Sequence, residues 1–274
     1  MINSKRIHLK DIYNLEGGEL DIMALPYPFD GEVDALPWSR PAMIVVPGGA
    51  YQMVSEREAD IVGTRYLSLG YQVFVLRYNC APISHYPEPL LELASSVDYI
   101  RHHAKELHVD PERIFAVGFS AGGHLVGDLA AEWSLLKERH GFEGDAKING
   151  IVLAYPVIYP EGHPLTFANC LGGKKLEDYP WLSLDTSVSK HNPPAFIWST
   201  NEDTLVPCEN SLKYALALRK AKIKFQLCVY PYGEHGLSTA EEEINERYYP
   251  QGSWELAKHW IDESDAFLRS LKSK

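Results

Sequence analysis

The strongest constraint on how this chain folds is the alternation of short apolar segments with longer amphipathic ones. The short segments, rich in Val, Ile and Phe, are residues 42–46, 71–77, 113–119, 148–155, 195–199 and 224–230. The longer segments repeat apolar residues at helical spacing and are residues 55–69, 88–107, 121–136, 208–221 and the C-terminal stretch 254–268. Short apolar runs of this kind indicate strands that are buried on both faces. Their alternation with helices predicts an α/β fold, a mostly parallel sheet with helices on both faces.

The N-terminal region departs from this alternation. Segments 6–13 and 19–25 flank Gly17 and Gly18, which indicates an antiparallel hairpin. No repeat, low-complexity tract or linker divides the chain, so we expect one domain over residues 1–274. Segment 158–192 is irregular and polar, and we expect it to form an insertion near the active site. In sheets of this kind ligands bind at the carboxyl ends of the strands, where functional residues are therefore expected.

The charge and the apolar content limit the partners of this chain. Its 26 Lys and Arg against 37 Asp and Glu give a net charge of −11, which argues against a nucleic acid partner. A hydrophobic content of 45% allows a substantial core and excludes a disordered chain. The longest stretch without a charged residue, 41–55, is interrupted by Pro47, Gly48 and Gly49 and falls short of the roughly 20 apolar residues that span a bilayer. We therefore predict no membrane partner.

Cysteine and histidine spacing predicts neither a metal nor a cofactor. Cys80, Cys170, Cys208 and Cys228 are too far apart for a Cys-x-x-Cys pair, and no histidine stands in a His-Glu-x-x-His motif. We expect free thiols. Residues 1–11 lack a secretory apolar run, which favours a cytoplasmic, unprocessed protein. The oligomeric state stays open, a homodimer included.

The motif with the most chemical content follows the apolar segment 113–119. It reads Gly118-Phe119-Ser120-Ala121-Gly122 and leads into a predicted helix. Small residues two positions before and after the serine suit a tight strand-to-helix turn, because such a turn leaves no room for side chains. The turn lifts the serine hydroxyl above the edge of the sheet. Ser120 is therefore a candidate nucleophile.

A serine nucleophile requires a base and a carboxylate that orients the base. Asp203 follows the strand predicted at 195–199, and His235 follows the strand predicted at 224–230. The order Ser, Asp, His is the one expected for this sheet topology. Glu202 stays open as a competing orienter of His235. Other titratable residues are expected to pack or to face solvent: His124, Asp128 and Glu234. For His163 and His191, in the irregular segment, lining the pocket stays open beside exposure to solvent.

A serine mechanism also requires backbone donors for the oxyanion of the tetrahedral intermediate. The amide of Ala121, directly after the nucleophile, is one candidate. The second donor is expected from the loop after segment 42–46, which reads Pro47-Gly48-Gly49-Ala50-Tyr51. Small residues there allow backbone amides to turn toward the site.

These motifs resemble the α/β-hydrolase family of serine esterases, in particular the lipase and esterase group that includes acetyl and acetylxylan esterases. The resemblance runs from about residue 42 to the end of the chain and includes the motifs at 47–51, 110–114, 118–125, 193–196, 203–207 and 234–237. It implies Ser120 as nucleophile, His235 as base and Asp203 as orienter, with the amides of Gly49, Ala50 and Ala121 as the oxyanion hole. Many relatives begin the oxyanion loop with His-Gly-Gly-Gly, whereas here the first and last positions are Pro47 and Ala50.

The expected substrate is a small-molecule ester with a short acyl group, preferably acetyl. Segment 158–192 is the only candidate lid, and it carries too many charged residues to cover a long acyl chain. Aromatic residues near the strand ends could stack on a sugar alcohol, and a xylo-oligosaccharide is one candidate. The residues predicted to line the pocket are Tyr51, Phe119, Tyr155 and Trp181, with Tyr159 and Trp198 as further aromatic residues nearby.

Two other classes of function compete with this prediction. An arylformamidase or a small peptidase would use the same three residues on an amide bond. A binding protein with an inactive hydrolase fold is the non-enzymatic alternative, but such proteins usually lack one residue of the triad. Ser120, Asp203 and His235 are all present, which favours an enzyme.

Overall fold

A computed structural model describes residues 3–24, 38–242 and 254–271. These residues contain an eight-stranded sheet in the order β1-β2-β4-β3-β5-β6-β7-β8. The strands are β1 Asn3–His8, β2 Glu19–Ala24, β3 Arg40–Val46, β4 Gln72–Arg77, β5 Val109–Phe119, β6 Gly150–Ala154, β7 Ala195–Thr200 and β8 Phe225–Tyr230. The helices are α1 Asp60–Ser68, α2 Glu88–His102, α3 Ala121–Glu132, α4 Leu136–His140, α5 Pro164–Leu171, α6 Leu184–Ser187, α7 Glu209–Lys220 and α8 Trp260–Ser270.

The strand pairing confirms the predicted fold class. β1 pairs with β2 and β2 with β4 in antiparallel orientation, whereas every pair from β4 through β3, β5, β6 and β7 to β8 is parallel. The predicted hairpin is therefore present as β1 and β2. The first strand, predicted at 6–13, ends at His8, because residues Leu9–Asp11 form a 3-10 turn. The last residue of the second predicted strand, Leu25, lies outside the described residues.

Each face of the sheet packs against its own set of helices. On β3, Ile44 and Val46 point into a core shared with α2, α3 and α7, and Met43 and Val45 point into a core shared with α1 and α8. Parallel strands buried on both faces explain why the apolar segments showed no polar alternation. Within the described ranges, no helix combines the length and the apolar character that crossing a membrane requires.

Four predicted helices differ from the observed ones. The helix predicted at 121–136 ends as α3 at Glu132 before α4 begins, and the C-terminal one begins as a 3-10 turn, Ala257–His259, before α8. The segment predicted at 55–69 is divided into a 3-10 turn, Glu56–Glu58, and α1, with Ala59 between them. This division lets the side chain of Glu58 turn into the protein, where it is 3% exposed. The helix predicted to reach residue 107 ends at His102, and the chain then turns through His108, which has a positive φ, before β5.

The polar segment 158–192 folds into α5, α6 and short 3-10 turns. It is tied to the strand-end loops, because the side-chain amide of Asn169 donates to the carbonyl of Ala50 at 2.9 Å. The N–H of Tyr86, in the loop after β4, donates to the carbonyl of Cys170 at 2.8 Å. The segment therefore lies over the same edge of the sheet as the loop 47–51.

Candidate active site

Ser120 occupies the single residue between β5 and α3, in a conformation that few non-glycine residues adopt. Its φ of 50° and ψ of −115° lie outside the main allowed regions, and such conformations persist only where the surrounding structure holds them. The N–H of Ser120 donates to the carbonyl of Ala154, and its own carbonyl accepts from Val157, both at 3.0 Å. Two bonds to the segment at and after β6 thus hold the strained serine in place.

The glycines around Ser120 are required by close backbone packing, as the motif predicted. A Cβ atom at Gly118 would overlap the carbonyl of Gly122. A Cβ atom at Gly122 would overlap the carbonyl oxygens of Val46 and Pro47 at the end of β3. The serine turn therefore packs directly against the loop that follows β3.

The structure brings Ser120, His235 and Asp203 into one hydrogen-bonded chain. Nε2 of His235 lies 2.9 Å from Oγ of Ser120, and Nδ1 of His235 lies 2.6 Å from Oδ2 of Asp203. Oδ1 of Asp203 accepts the N–H groups of Leu205 and Val206 at 3.0 and 2.8 Å. Because a carboxylate only accepts, Nδ1 of His235 carries the proton toward Asp203, and Nε2 is left to accept the serine proton.

The loop 47–51 lies against Ser120 and contains three consecutive residues with positive φ. These are Gly49 at 125°, Ala50 at 53° and Tyr51 at 55°. The N–H of Gly48 is engaged, because it donates to Oε2 of Glu58 at 2.8 Å. Among the described residues, the N–H groups of Gly49 and Ala50 meet no protein acceptor. The N–H of Ala121, first in α3, has no intrahelical acceptor, so these three amides are available to an oxyanion.

Three of the four aromatic residues predicted to line the pocket are buried in the core instead. Phe119 is fully buried, with its ring against Tyr155 and Trp260. The hydroxyl of Tyr51 lies 2.9 Å from Nδ1 of His124, and the ring is 2% exposed. Tyr155 is also 2% exposed. A position near the end of a strand does not determine which way a side chain points. These three rings point into the packed core rather than toward the surface.

Tyr155 nonetheless touches the site from below, since its ring centroid lies 5.0 Å from that of His235 in an edge-to-face contact. Trp181, in the segment 158–192, is partly buried. Its Nε1 donates to the hydroxyl of Tyr86 at 2.8 Å, and the guanidinium of Arg139 lies 4.1 Å from its ring centroid. Trp181 thus packs against Tyr86 and Arg139, which lie outside this segment, rather than against the hydroxyl of Ser120.

The other titratable residues take the roles of packing or support. His124 is fully buried, its Nε2 lies 2.9 Å from the carbonyl of Leu182, and burial lowers its pKa to about 4. Glu202 accepts the N–H of Gly233 at 3.0 Å, so it supports the loop of His235, while Asp203 contacts the imidazole. Glu234 is exposed.

Two further groups are shifted by their surroundings. Burial lowers the pKa of His163 most, His235 lowers it further and Asp203 raises it, and Nδ1 of His163 lies 2.8 Å from Oγ1 of Thr166. Burial raises the pKa of Asp128 well above its usual range. In the part of the chain that the structure describes, no group of three or more His, Cys, Asp or Glu is arranged to hold a metal ion.

Glu58 is the residue near this site that the sequence did not reveal. Its Oε2 accepts from Gly48 and its Oε1 accepts the hydroxyl of Tyr155 at 2.8 Å. In the sequence it is an acidic residue near the start of a predicted helix, a position that commonly carries a charge. Only the inward turn of the 3-10 segment sets Glu58 apart.

Comparisons with known proteins agree with this architecture. The BD-FAE family model matches residues 36–157. Endo-1,4-beta-xylanase B of Butyrivibrio fibrisolvens is 35% identical over 213 residues, which cover 75% of this chain and 34% of that protein. Acetylxylan esterase of Xylanibacter ruminicola is 31% identical over 204 residues, 71% of this chain and 40% of that protein. The chain thus spans between about a third and two-fifths of the length of these curated relatives.

A solved structure covers nearly the whole chain. The acetyl ester-xyloside bifunctional hydrolase from Caldicellulosiruptor lactoaceticus matches with a TM-score of 0.79 and 30% identity, over 97% of this chain and 98% of that chain. The sheet order and the serine turn after β5 define an α/β-hydrolase fold. With this similarity, the chain belongs to the α/β-hydrolase esterase family.

Proposed function

We propose that this chain is a serine esterase that hydrolyses short-chain acyl esters, acetyl esters foremost, through an acyl-enzyme intermediate. The observation that carries the proposal is the unbroken hydrogen-bonded chain from Asp203 through His235 to Oγ of Ser120. A serine hydroxyl becomes an effective nucleophile when a base held in the correct tautomer takes its proton. The strained backbone of Ser120 and the available amides beside it support the same role.

Each step of the reaction uses groups that are already in position. Oγ of Ser120 bonds to the ester carbonyl carbon while Nε2 of His235 takes the serine proton, and the carbonyl electrons move onto its oxygen. The amides of Ala121 and of Gly49 or Ala50 hold the resulting oxyanion.

The intermediate then collapses toward products. The bond to the alcohol breaks, and His235 gives its proton to the departing oxygen, which leaves the acyl group on Ser120. A water molecule, deprotonated by the same histidine, then attacks the acyl carbon. The bond from that carbon to Oγ of Ser120 breaks, His235 returns the proton to Oγ, and the acid leaves. Asp203 holds the imidazole and stabilises its positive charge at both stages.

Two observations support a short acyl group. The segment 158–192 forms short helices and turns and carries charged side chains such as Lys174, Lys175, Glu177 and Asp178, so it does not provide an apolar cover for a long chain. The names of two relatives, an acetylxylan esterase and an acetyl ester-xyloside hydrolase, also refer to acetyl esters.

A sugar is the proposed alcohol, and its support comes from the relatives. Three of them are named for xylan or xyloside chemistry. The aromatic residues that suggested a sugar from the sequence contribute less, because Tyr51, Phe119 and Tyr155 are buried. An acetylated xylo-oligosaccharide is therefore the natural substrate to test first.

The test is a series of p-nitrophenyl esters from acetate to octanoate, measured as kcat/KM, together with acetylated xylo-oligosaccharides and N-formylkynurenine. We expect kcat/KM to fall steeply with chain length and acetate to be released from the oligosaccharides. A rise toward octanoate would contradict the small acyl site. Faster cleavage of N-formylkynurenine than of the acetyl ester would replace the esterase proposal with an arylformamidase.

A further inference from the structure

Glu58 connects the oxyanion loop to the loop of the catalytic histidine. It is 3% exposed and carries two oxygens that accept from different parts of the site. Oε2 accepts the N–H of Gly48, which precedes the amides proposed for the oxyanion hole, at 2.8 Å. Oε1 accepts the hydroxyl of Tyr155, also at 2.8 Å. One buried carboxylate thus bonds both the loop after β3 and the residue after β6.

Tyr155 extends this connection to His235. Its hydroxyl oxygen accepts the N–H of Ser238, three residues after His235, at 3.0 Å. Its ring packs edge-to-face against the imidazole, with 5.0 Å between the centroids. Ser238 is held from two further directions, because its hydroxyl donates to the carbonyl of Arg57 and its carbonyl accepts Nε1 of Trp260 at 2.9 Å.

Gly48 also lies directly beside the nucleophile. A Cβ atom built on Gly48 would stand 2.8 Å from Oε2 of Glu58 and 3.0 Å from Cβ of Ser120. Gly48 therefore packs too closely against the carboxylate of Glu58 and against Ser120 to leave room for a side chain. A shift of Glu58 would move the loop relative to Ser120.

We propose that Glu58 is a positioning residue whose carboxylate fixes the oxyanion loop and, through Tyr155, the loop of His235 against Ser120. The inference rests on the esterase function proposed above. Electrostatic stabilisation of an oxyanion requires donors that are in place before the charge develops. A carboxylate suits this task because both of its oxygens accept, one from Gly48 and one from Tyr155. A glutamine of the same shape accepts through only one of its two terminal atoms.

The experiment compares Glu58→Gln and Tyr155→Phe with Glu132→Gln as the matched control. Glu132 is another buried acidic residue, 2% exposed. It lies at the end of α3 that is distant from Ser120 and pairs with Arg139 of α4. For each full-length variant, kcat and KM are measured with p-nitrophenyl acetate, the Ki with an alkyl trifluoromethyl ketone, and the thermal midpoint by circular dichroism. The ketone forms an anionic tetrahedral adduct with the serine, so its Ki reports the oxyanion site.

We expect Glu58→Gln to lower kcat by about 10- to 100-fold, approaching the cost of losing one oxyanion donor, with KM nearly unchanged. The Ki of the ketone should rise by the same factor. Tyr155→Phe should lower kcat less, because Gly48 keeps its acceptor, and the double variant should lose less than the product of the two single effects. Glu132→Gln should keep the wild-type kcat and Ki.

Several outcomes would overturn the inference. One is a Glu58→Gln variant with wild-type kcat and Ki, and another is a loss that Glu132→Gln reproduces at an equal drop in the thermal midpoint. If Glu58→Gln does not fold, the Tyr155→Phe variant provides the test. Wild-type values of kcat and Ki in Tyr155→Phe would then reject the proposed positioning role of Glu58. A wild-type protein inactive on every ester would instead refute the proposed function, and this inference with it.

Discussion

His124 and His235 show how the surroundings of a side chain decide its chemistry. Both ring nitrogens of His124 face protein groups, the hydroxyl of Tyr51 and the carbonyl of Leu182. Burial lowers the pKa of this ring to about 4. His235 is 13% exposed at its side chain, and its Nε2 faces Oγ of Ser120. Only His235 can exchange a proton with the serine.

This contrast predicts different outcomes for the two histidine variants. His235→Ala should lower kcat by about 10⁶-fold, as loss of a triad histidine does in other serine hydrolases. His124→Ala should lower stability by leaving a cavity and two unpaired polar groups, yet retain much of the activity per folded molecule. The measurement is kcat with p-nitrophenyl acetate beside urea unfolding. Equal collapse of kcat in both variants would show that His124 has been misassigned.

Glu92 predicts a pH dependence of stability on the alkaline side. It is fully buried, and burial raises its pKa from 4.5 to about 8, although one oxygen accepts the N–H of Asn79 at 2.8 Å. The unfolded chain releases this proton near pH 4.5, whereas the folded protein keeps it to about pH 8. The contribution of Glu92 to the free energy of unfolding is therefore full below pH 4.5 and is lost progressively as the pH rises to about 8.

The matching variant is Glu92→Gln, which keeps an acceptor for Asn79 but cannot ionise. The free energy of unfolding in urea should fall for the wild type between pH 5 and pH 8, by on the order of a few kcal/mol, from this group. The variant should show a correspondingly smaller fall. An identical pH profile in both proteins would mean that Glu92 is ionised in the folded state.

At the scale of elements, the strands were predictable and the ends of helices less so. β3, β4, β7 and β8 begin and end within two residues of the predicted segments, because strands buried on both faces are apolar throughout. The helix predicted at 55–69 was wrong at its start, because two donors in the site, the N–H of Gly48 and the hydroxyl of Tyr155, hold the carboxylate of Glu58 inside the protein. Such contacts leave no local pattern.

The strand-to-helix turn predicts a strict requirement for glycine. Gly122→Ala should lower the free energy of unfolding by about 1 to 3 kcal/mol and reduce kcat, because the new methyl group meets the carbonyls of Val46 and Pro47. The control is Gly127→Ala in the same helix, where the methyl group meets only the end of the Leu184 side chain. That variant should stay within about 1 kcal/mol of the wild type. A Gly122→Ala protein with wild-type kcat and stability would contradict the packing at the turn.

At the scale of the whole molecule, topology brings distant residues together. β5, β7 and β8 run parallel, so the loops after them open at one edge and place Ser120 near His235, 115 residues away. The mostly parallel sheet and the loops that carry Ser120, Asp203 and His235 could therefore be predicted from sequence, whereas the order of the strands was not predicted. The burial of Phe119 and Tyr155 could not, because it depends on which face each side chain meets. The single domain, the cytoplasmic location and the absence of a macromolecular partner stay predictions.

The most direct test of the proposed mechanism is the rate of Ser120→Ala relative to the wild type. Both proteins are assayed with p-nitrophenyl acetate under identical conditions, with thermal midpoints measured to confirm that the variant is folded. The mechanism predicts that kcat falls by about 10⁶-fold, as it does when a triad serine is removed from other hydrolases. A folded variant that keeps more than about a tenth of the wild-type rate would show that Ser120 is not the nucleophile.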